Sequence, residues 1–464
     1  MSKINIVVIG GGPAGYVAAL RASQLGAGVT LVEENKVGGV CLNCGCIPTK
    51  FMLHGAELYH SMGNASRYGI EADNIKINLR KLQSGKNDVI ARLVSGVEGL
   101  LAAGKANIIS GRANLSPSNR VEITTSSGEK QSIQADRIII ATGARAAGLP
   151  VPGADAPDIL DYKSLLELES IPESMVIIGG GVIGVEMATL LNRLGCKVSI
   201  VEMMPRIIPS CDAETVSVVH NALRKDRVDI FCGARVEKIE DSGNKKRVTF
   251  SDGTEIKTLE AEKVAVTAGM KPNIERLGLE ECGIVADGGG IKVDELMQTS
   301  VSGIYAAGDV TGGMMLAHIG YAEGKMAAEN AMGENSVMDY QVVPQCIFTS
   351  PEIAGVGLTE EEAARDYQIT VGRFPFMASG MATLLGDNRG IIKIITENNY
   401  NRILGVHIAG PSASNLIAEA ALAIKMELTP GEIIETIHSH PSLSEAFWEA
   451  ALDVTGETLH IPSS

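Results

Sequence analysis

The chain has 464 residues, 40 of them Lys or Arg and 55 Asp or Glu, for a net charge of −15; at about 100 to 200 residues per domain it predicts three or four lobes. An acidic chain with no basic block long enough to track a phosphate backbone is expected to bind neither nucleic acid nor an anionic membrane surface. Its longest apolar runs, such as Ile4 to Ile9 and Ile138 to Ala141, fall far below the roughly 20 residues of a membrane span, and no export signal precedes the first, so a cytoplasmic protein is expected.

Residues Ile4 to Ile9 are a short β-branched run that ends in Gly10, Gly11, Gly12, Pro13, Ala14 and Gly15, after which Tyr16 to Leu25 reads as a helix. Strand, glycine turn and helix open a dinucleotide-binding fold. Gly10 makes the turn, Gly12 admits a pyrophosphate to the backbone and Gly15 lets helix pack on strand. The pyrophosphate then sits at the positive end of a helix. Glu33 ends the next apolar run, where an acid hydrogen-bonds ribose hydroxyls.

The eight cysteines are unevenly spread. Cys41, Cys44 and Cys46 crowd together, whereas Cys196, Cys211, Cys232, Cys282 and Cys346 lie scattered. That pattern favours catalysis or metal over structural stapling, and the scattered five are expected to be small buried hydrophobes. On an ideal helix the Cα atoms of Cys41 and Cys44 would lie roughly 5 Å apart and those of Cys41 and Cys46 roughly 8 to 9 Å. A disulfide wants less than about 7 Å. Gly45 and Pro48 allow the segment to leave helical geometry, so both pairings stay open. A zinc site lacks an obvious fourth ligand nearby, and no metal is expected.

A helical stretch from about Lys50 to Leu101 and β-rich segments lead to the apolar run that ends at Gly143, and Gly148 to Pro157 reads as a linker. The opening pattern then recurs. Met175 to Ile178 precedes a turn carrying Gly179, Gly181 and Gly184, a helix runs through Leu194, and Glu202 ends the strand that starts at Val198. An acid there repels a 2′-phosphate and predicts NAD over NADP. Arg206 is the nearby residue that would soften this preference. Later strands end at Ala268 and Gly269, and at Ala307, where Gly308 and Asp309 present a carboxylate at a strand tip. From about Tyr340 the glycine turns stop, and strands and helices read as a separate domain.

Near the C-terminus Thr429, Pro430, Gly431 and Glu432 read as a helix start, with the helix running out near His438. His440 precedes Pro441, which favours an extended loop, and Ser442 to Glu445 is a second capping pattern. Glu445 is therefore either a capping acid or the group that orients His440 to take a proton from a thiol. Spacing does not separate the two.

The run GGVCLNCGCIPTK, the two glycine turns in this order and HSHPSLSE near the end together resemble the flavoprotein disulfide reductases over essentially the whole chain. The resemblance implies an α/β fold with two Rossmann-like dinucleotide-binding domains, for FAD and NAD, and a C-terminal α+β dimerisation domain. The expected boundaries are 1–146 and 271–339 for the FAD part, 147–270 for the NAD part and 340–464 for the dimerisation part. It also implies a redox disulfide between Cys41 and Cys46, with Cys44 standing where the family usually has no cysteine. Lys50 would pair with Glu186 beside the flavin. Glu33, Lys50, Gly143, Asp309 and the backbone at Ala113 and Ala317 would hold FAD, and Glu202, Val236 and Gly269 would contact NAD.

The resemblance further implies a homodimer with a shared active site, in which His440 and Glu445 serve the partner subunit and His438 has the weaker claim. The implied substrate is dihydrolipoamide, free or on a lipoyl carrier domain. Val40 in place of the usual threonine and Met381 in place of a common arginine depart from the pattern. Met203 and Met204 are not the basic residues a glutathione-type reductase would place beside Glu202. The alternatives are another NAD(P)H-dependent disulfide or metal-ion reductase of the family, or a chain that serves mainly to dock within a multienzyme complex.

Overall fold

The computed structural model describes residues 3–462. Its largest sheet has seven strands, in spatial order Ile304–Ala306, Arg137–Ile140, Asn5–Ile9, Gly28–Glu33, Asn107–Ser116, Arg120–Thr125 and Lys130–Gln134. The first five run parallel and the last two fold back antiparallel. The central strands carry unbroken apolar runs because both faces are covered; Val7, Val8, Ile138, Ile139 and Ile140 are fully buried. The edge strand Ile304–Ala306 arrives from far along the chain and carries Asp309 to the same end of the sheet as the first glycine turn.

A second parallel sheet is formed by Asp229–Phe231, Lys197–Val201, Ser174–Ile178 and Lys263–Val266. Beside it lies an antiparallel sheet of Arg235–Ser242, Lys245–Ser251 and Ile256–Ala261. The C-terminal part is a five-stranded antiparallel sheet, in order Gln345–Ile347, Glu352–Gly357, Ile403–Gly410, Ile391–Glu397 and Ile369–Pro375, packed by helices Ala413–Lys425 and Glu445–Thr455. Among the described residues no helix is long and apolar enough to cross a membrane.

Three local expectations change. The stretch from Lys50 to Leu101 is not one helix: Cys46–Gly63 and Leu79–Ala103 are separate, because the first ends at Gly63 and Asn64, Gly69 closes the short turn Ala65–Tyr68 that follows, and the Asn78 side chain caps the second by accepting from Lys81 N at 3.1 Å. The helix Pro430–Glu435 has the expected Thr429 and Glu432 capping box but stops before His438, which bonds the Thr436 carbonyl and Glu419 instead. The last helix starts at Glu445. Only half of its capping box forms, the Ser442 N–H donating to Glu445 while the Ser442 hydroxyl turns to Ser444.

Of the scattered cysteines, Cys196 and Cys211 are buried as expected. Cys232, Cys282 and Cys346 are only half-buried.

Candidate active site

One cleft of about 2240 Å³ runs between the two parallel sheets and reaches the C-terminal part. Drug-sized pockets occupy about 300 to 1,000 Å³, so this one has room for two dinucleotides. Gly10, Gly12, Glu33, Gly143, Asp309 and Ala317 line it, as do Gly179, Gly181, Glu202, Val236 and Gly269. Cys41, Cys46, Lys50 and Glu186 stand on it too. Ala113 lines a smaller hollow that shares Glu33. Gly15 and Gly184 face away from the cleft. A Cβ on either would lie 1.8 Å from the Gly10 carbonyl oxygen or 1.9 Å from that of Gly179, which makes both glycines contacts of helix on strand.

The two glycine turns repeat one geometry. Glu33 accepts from Gly11 N at 2.6 Å and from Asn35 N at 2.7 Å. Glu202 accepts from Gly180 N at 2.5 Å and from Met204 N at 2.6 Å. A carboxylate offers about four lone-pair sites, so each acid keeps capacity for ribose hydroxyls while bracing its own turn. Gly12 and Gly181 open 12-residue helices without any side-chain cap, leaving their N–H groups for a phosphate. These residues fit FAD and NAD. Burial raises the pKa of Glu33 and of Asp309 above the ordinary carboxylate range. Arg206, the residue that would soften a preference for NAD, is held by Glu361 at 2.9 Å and does not line the cleft.

The cysteine segment departs from an ideal helix where Gly45 interrupts it. Cys41 lies on the short helix Gly39–Asn43, Gly45 adopts φ −130° and ψ −107°, and Cys46 begins the next helix. Helical arithmetic favoured Cys44 as the partner of Cys41. The break instead brings the Cys41 and Cys46 thiols into hydrogen-bond contact and turns Cys44 toward Tyr162. The Cys41 hydrogen bond lowers the pKa of Cys46, burial opposes it, and the Lys50 ammonium lowers it further, to about 7. The same bond and burial push Cys41 up. Of the two, Cys46 is the better thiolate.

Lys50 Nζ meets both oxygens of Glu186, at 2.9 and 2.8 Å, although the residues are 136 positions apart. Glu186 comes from the helix that follows the second glycine turn, and its side chain is only 4% exposed. A residue absent from the sequence reading joins them: Phe348 N donates to Glu186 Oε1 at 2.9 Å, and the Lys50 ammonium lies 4.7 Å from the centre of the Phe348 ring. Nothing in the sequence around a lone phenylalanine marks it.

His440 and Glu445 lie outside the cleft. The His440 side chain is 81% exposed, and its Nδ1 lies 2.8 Å from Glu445 Oε1. The other Glu445 oxygen accepts from Ser442 N at 2.8 Å, so one carboxylate is both a capping acid and the brace of an imidazole. Burial opposes ionisation of Glu445, but the Ser442 N–H and His440 hold its carboxyl below the usual range. With Nδ1 bonded to Glu445, Nε2 is left to act as a base.

Sequence comparison matches residues 4–324 to the family described as pyridine nucleotide-disulphide oxidoreductase, and residues 343–451 to the dimerisation domain of the same description. The chain is 40% identical to a dihydrolipoyl dehydrogenase of Bacillus subtilis and 41% identical to one of Thermus scotoductus, each match covering 99% of both chains. Among solved structures it is similar to LpdA of Mycobacterium tuberculosis, with a TM-score of 0.90 and 30% identity over 97% of this chain and 99% of that one. It is also similar to the HOCl-induced flavoprotein disulfide reductase RclA of Escherichia coli, with a TM-score of 0.85 and 29% identity over 95% of this chain and 98% of that one.

Proposed function

The chain belongs to the pyridine nucleotide-disulphide oxidoreductase family, and from that premise we propose the following reading: it is an FAD-dependent, NAD-linked dihydrolipoyl dehydrogenase that works as a homodimer through Cys41 and Cys46. The observation that carries the reading is the pairing of these two thiols at the floor of a two-nucleotide cleft, with Cys46 beside Lys50. In this reading residues 1–146 and 271–339 hold FAD, 147–270 hold NAD and 340–464 make the dimer contact. The sheet membership of Ile304–Ala306 supports joining the first two segments.

His440 of one subunit serves the cleft of the other. Its Nε2 takes the proton of a substrate thiol, and the resulting thiolate attacks Cys41 Sγ of the Cys41–Cys46 disulfide. A substrate-to-Cys41 bond forms as the Cys41–Cys46 bond breaks, and Cys46 leaves as a thiolate. A low thiol pKa makes the better leaving group, which assigns attack to Cys41 and departure to Cys46. His440 then gives its proton to the departing Cys41 sulfur and takes that of the second substrate thiol, whose sulfur displaces Cys41 and closes the product disulfide. FAD, which Glu33, Asp309 and the first glycine turn would hold, would supply an acceptor for the electron pair of the reduced cysteines, and NAD at Glu202 and the second turn would supply the hydride acceptor. Lys50, held by Glu186, keeps positive charge beside the Cys46 thiolate.

Glu202 favours NAD over NADP, and the engagement of Arg206 by Glu361 supports that choice. The test is turnover of dihydrolipoamide with NAD and with NADP, alongside a Cys46→Ser variant. NAD is expected to support the higher rate, and the variant is expected to bind FAD but lose dithiol oxidation. Full dithiol turnover by Cys46→Ser would overturn the reading.

A further inference from the structure

We propose that Phe348 is a positioning residue for the Lys50–Glu186 pair, fixing the ammonium beside Cys46 from the C-terminal part of the chain. The inference rests on Cys46 being the thiolate of the redox pair.

Three elements distant in sequence meet at this point. Lys50 projects from the helix Cys46–Gly63, and Glu186 from the helix Val182–Arg193. Phe348 follows the edge strand Gln345–Ile347 of the C-terminal sheet. Glu186 Oε1 receives both Lys50 Nζ and Phe348 N at 2.9 Å, so the carboxylate has one orientation. The Phe348 ring, 4.7 Å from Lys50 Nζ, covers a further side of the ammonium. A cation over an aromatic face is attracted by the ring quadrupole, and more strongly as water is withdrawn. A lysine has four rotatable side-chain bonds, and an ion pair alone would leave it several ways to meet a carboxylate. Ring and peptide N–H together leave it one.

The consequence is electrostatic. Cys46 is faced by Cys41, Cys44, Lys50, Glu186 and Tyr321, with Asp309 acting on Cys41. Lys50 is the one cation in this set, opposed by the charge of Glu186. Displacing the ammonium from its place over the ring weakens its hold on the thiolate while Glu186 stays where it is. Phe348 meets Lys50 and Glu186 and acts on Cys46 through them.

The experiment follows thiolate ultraviolet absorbance against pH in anaerobically reduced holoenzyme, with Cys46→Ser in the same background as the blank. Wild type is expected to show an ionisation near 7, since Cys41 and the Lys50 ammonium lower the Cys46 thiol to about 7. Phe348→Leu keeps the peptide N–H and removes the ring; it is expected to lower the thiolate-to-thiol ratio at any fixed pH by about threefold. Phe348→Tyr keeps the ring face and is expected to retain the wild-type curve. Phe348→Met gives the same reading if Phe348→Leu does not accumulate. A purely structural role would lower thermal stability or FAD content without moving the curve. An unchanged curve in the Leu and Met variants would overturn the inference, as would a Tyr variant shifted as far as they are. Absence of the ionisation from wild type would instead remove the assignment of Cys46 on which the inference rests.

Discussion

The cysteine pair and His440 occupy opposite environments on one chain. Cys41 and Cys46 sit on the cleft, hydrogen-bonded to each other and flanked by a cation that is itself bonded to a buried acid. His440 stands on the surface, 81% exposed, with one brace at Glu445. His318 is the imidazole that does line the cleft, and its Nε2 lies 2.8 Å from the Pro344 carbonyl, so that nitrogen is already engaged. His440 thus lies outside the cleft that holds Cys41 and Cys46 of its own chain. In a two-fold dimer each surface patch meets its own copy. In the proposed mechanism such an arrangement lets His440 of one subunit serve the cleft of the other.

The largest effect comes from separating the two halves. His440→Ala is expected to cost about 10²- to 10⁴-fold in dihydrolipoamide oxidation, with FAD binding intact. Cys46→Ser is expected to be inactive for a different reason, the loss of the disulfide. Co-expression of the two should give hybrid dimers in which one cleft has both intact cysteines and an intact His440, restoring about a quarter of the wild-type rate to the mixed population. Mixed dimers as inactive as either parent would show that base and disulfide act within one chain.

A smaller effect tests the brace. Glu445→Gln keeps a side chain of the same shape but removes the charge beside Nδ1, and a loss of about tenfold to a hundredfold in kcat is expected, smaller than for His440→Ala. The sign with pH follows from the depressed carboxyl. Its contribution to stability is fully present above the ordinary Glu value near 4.3 and disappears as pH falls through the lower folded value. The brace is thus intact across the neutral range. A fall in wild-type thermal stability between pH 8 and 6 that Glu445→Gln abolishes would contradict it.

The same contrast governs what could be read from the sequence. Each glycine turn is a local event: strand, three glycines, helix and acid lie within 30 consecutive residues, and the structure adds only that Glu33 and Glu202 brace their own turns. The capping box at Thr429 is equally local. The long-range pieces carried no signal of their own. Nothing in spacing places Ile304–Ala306 beside Arg137–Ile140, brings Glu186 to Lys50 or sets Phe348 against both; only the family resemblance anticipated the ion pair, and nothing anticipated the ring. The cysteine pairing fell between these cases. Helical arithmetic does not carry across this segment because Gly45 takes a conformation that ends one helix and starts another, and Cys41 and Cys46 interact across the break.

Cys44 is the sharpest remaining comparison, since it is a thiol on the same cleft and two residues from Cys46. Burial raises its pKa, with Lys163 and Tyr162 offsetting part of the effect, whereas Cys46 is lowered by Cys41 and Lys50. Thiolate is the exchanging form, and a raised pKa withholds it. Cys44→Ala is therefore expected to leave dihydrolipoamide turnover within about twofold of wild type, and to cost at most about 1 kcal/mol of stability where the Cys44 sulfur packs against Tyr162. The decisive reading is competition between thiols. With the Cys41–Cys46 disulfide intact, a small alkylating agent at neutral pH should modify Cys44 slowly and without loss of activity. Rapid inactivation under those conditions, absent from Cys44→Ala, would mean that Cys44 exchanges with the redox pair and that the contrast between the neighbouring thiols is kinetic only.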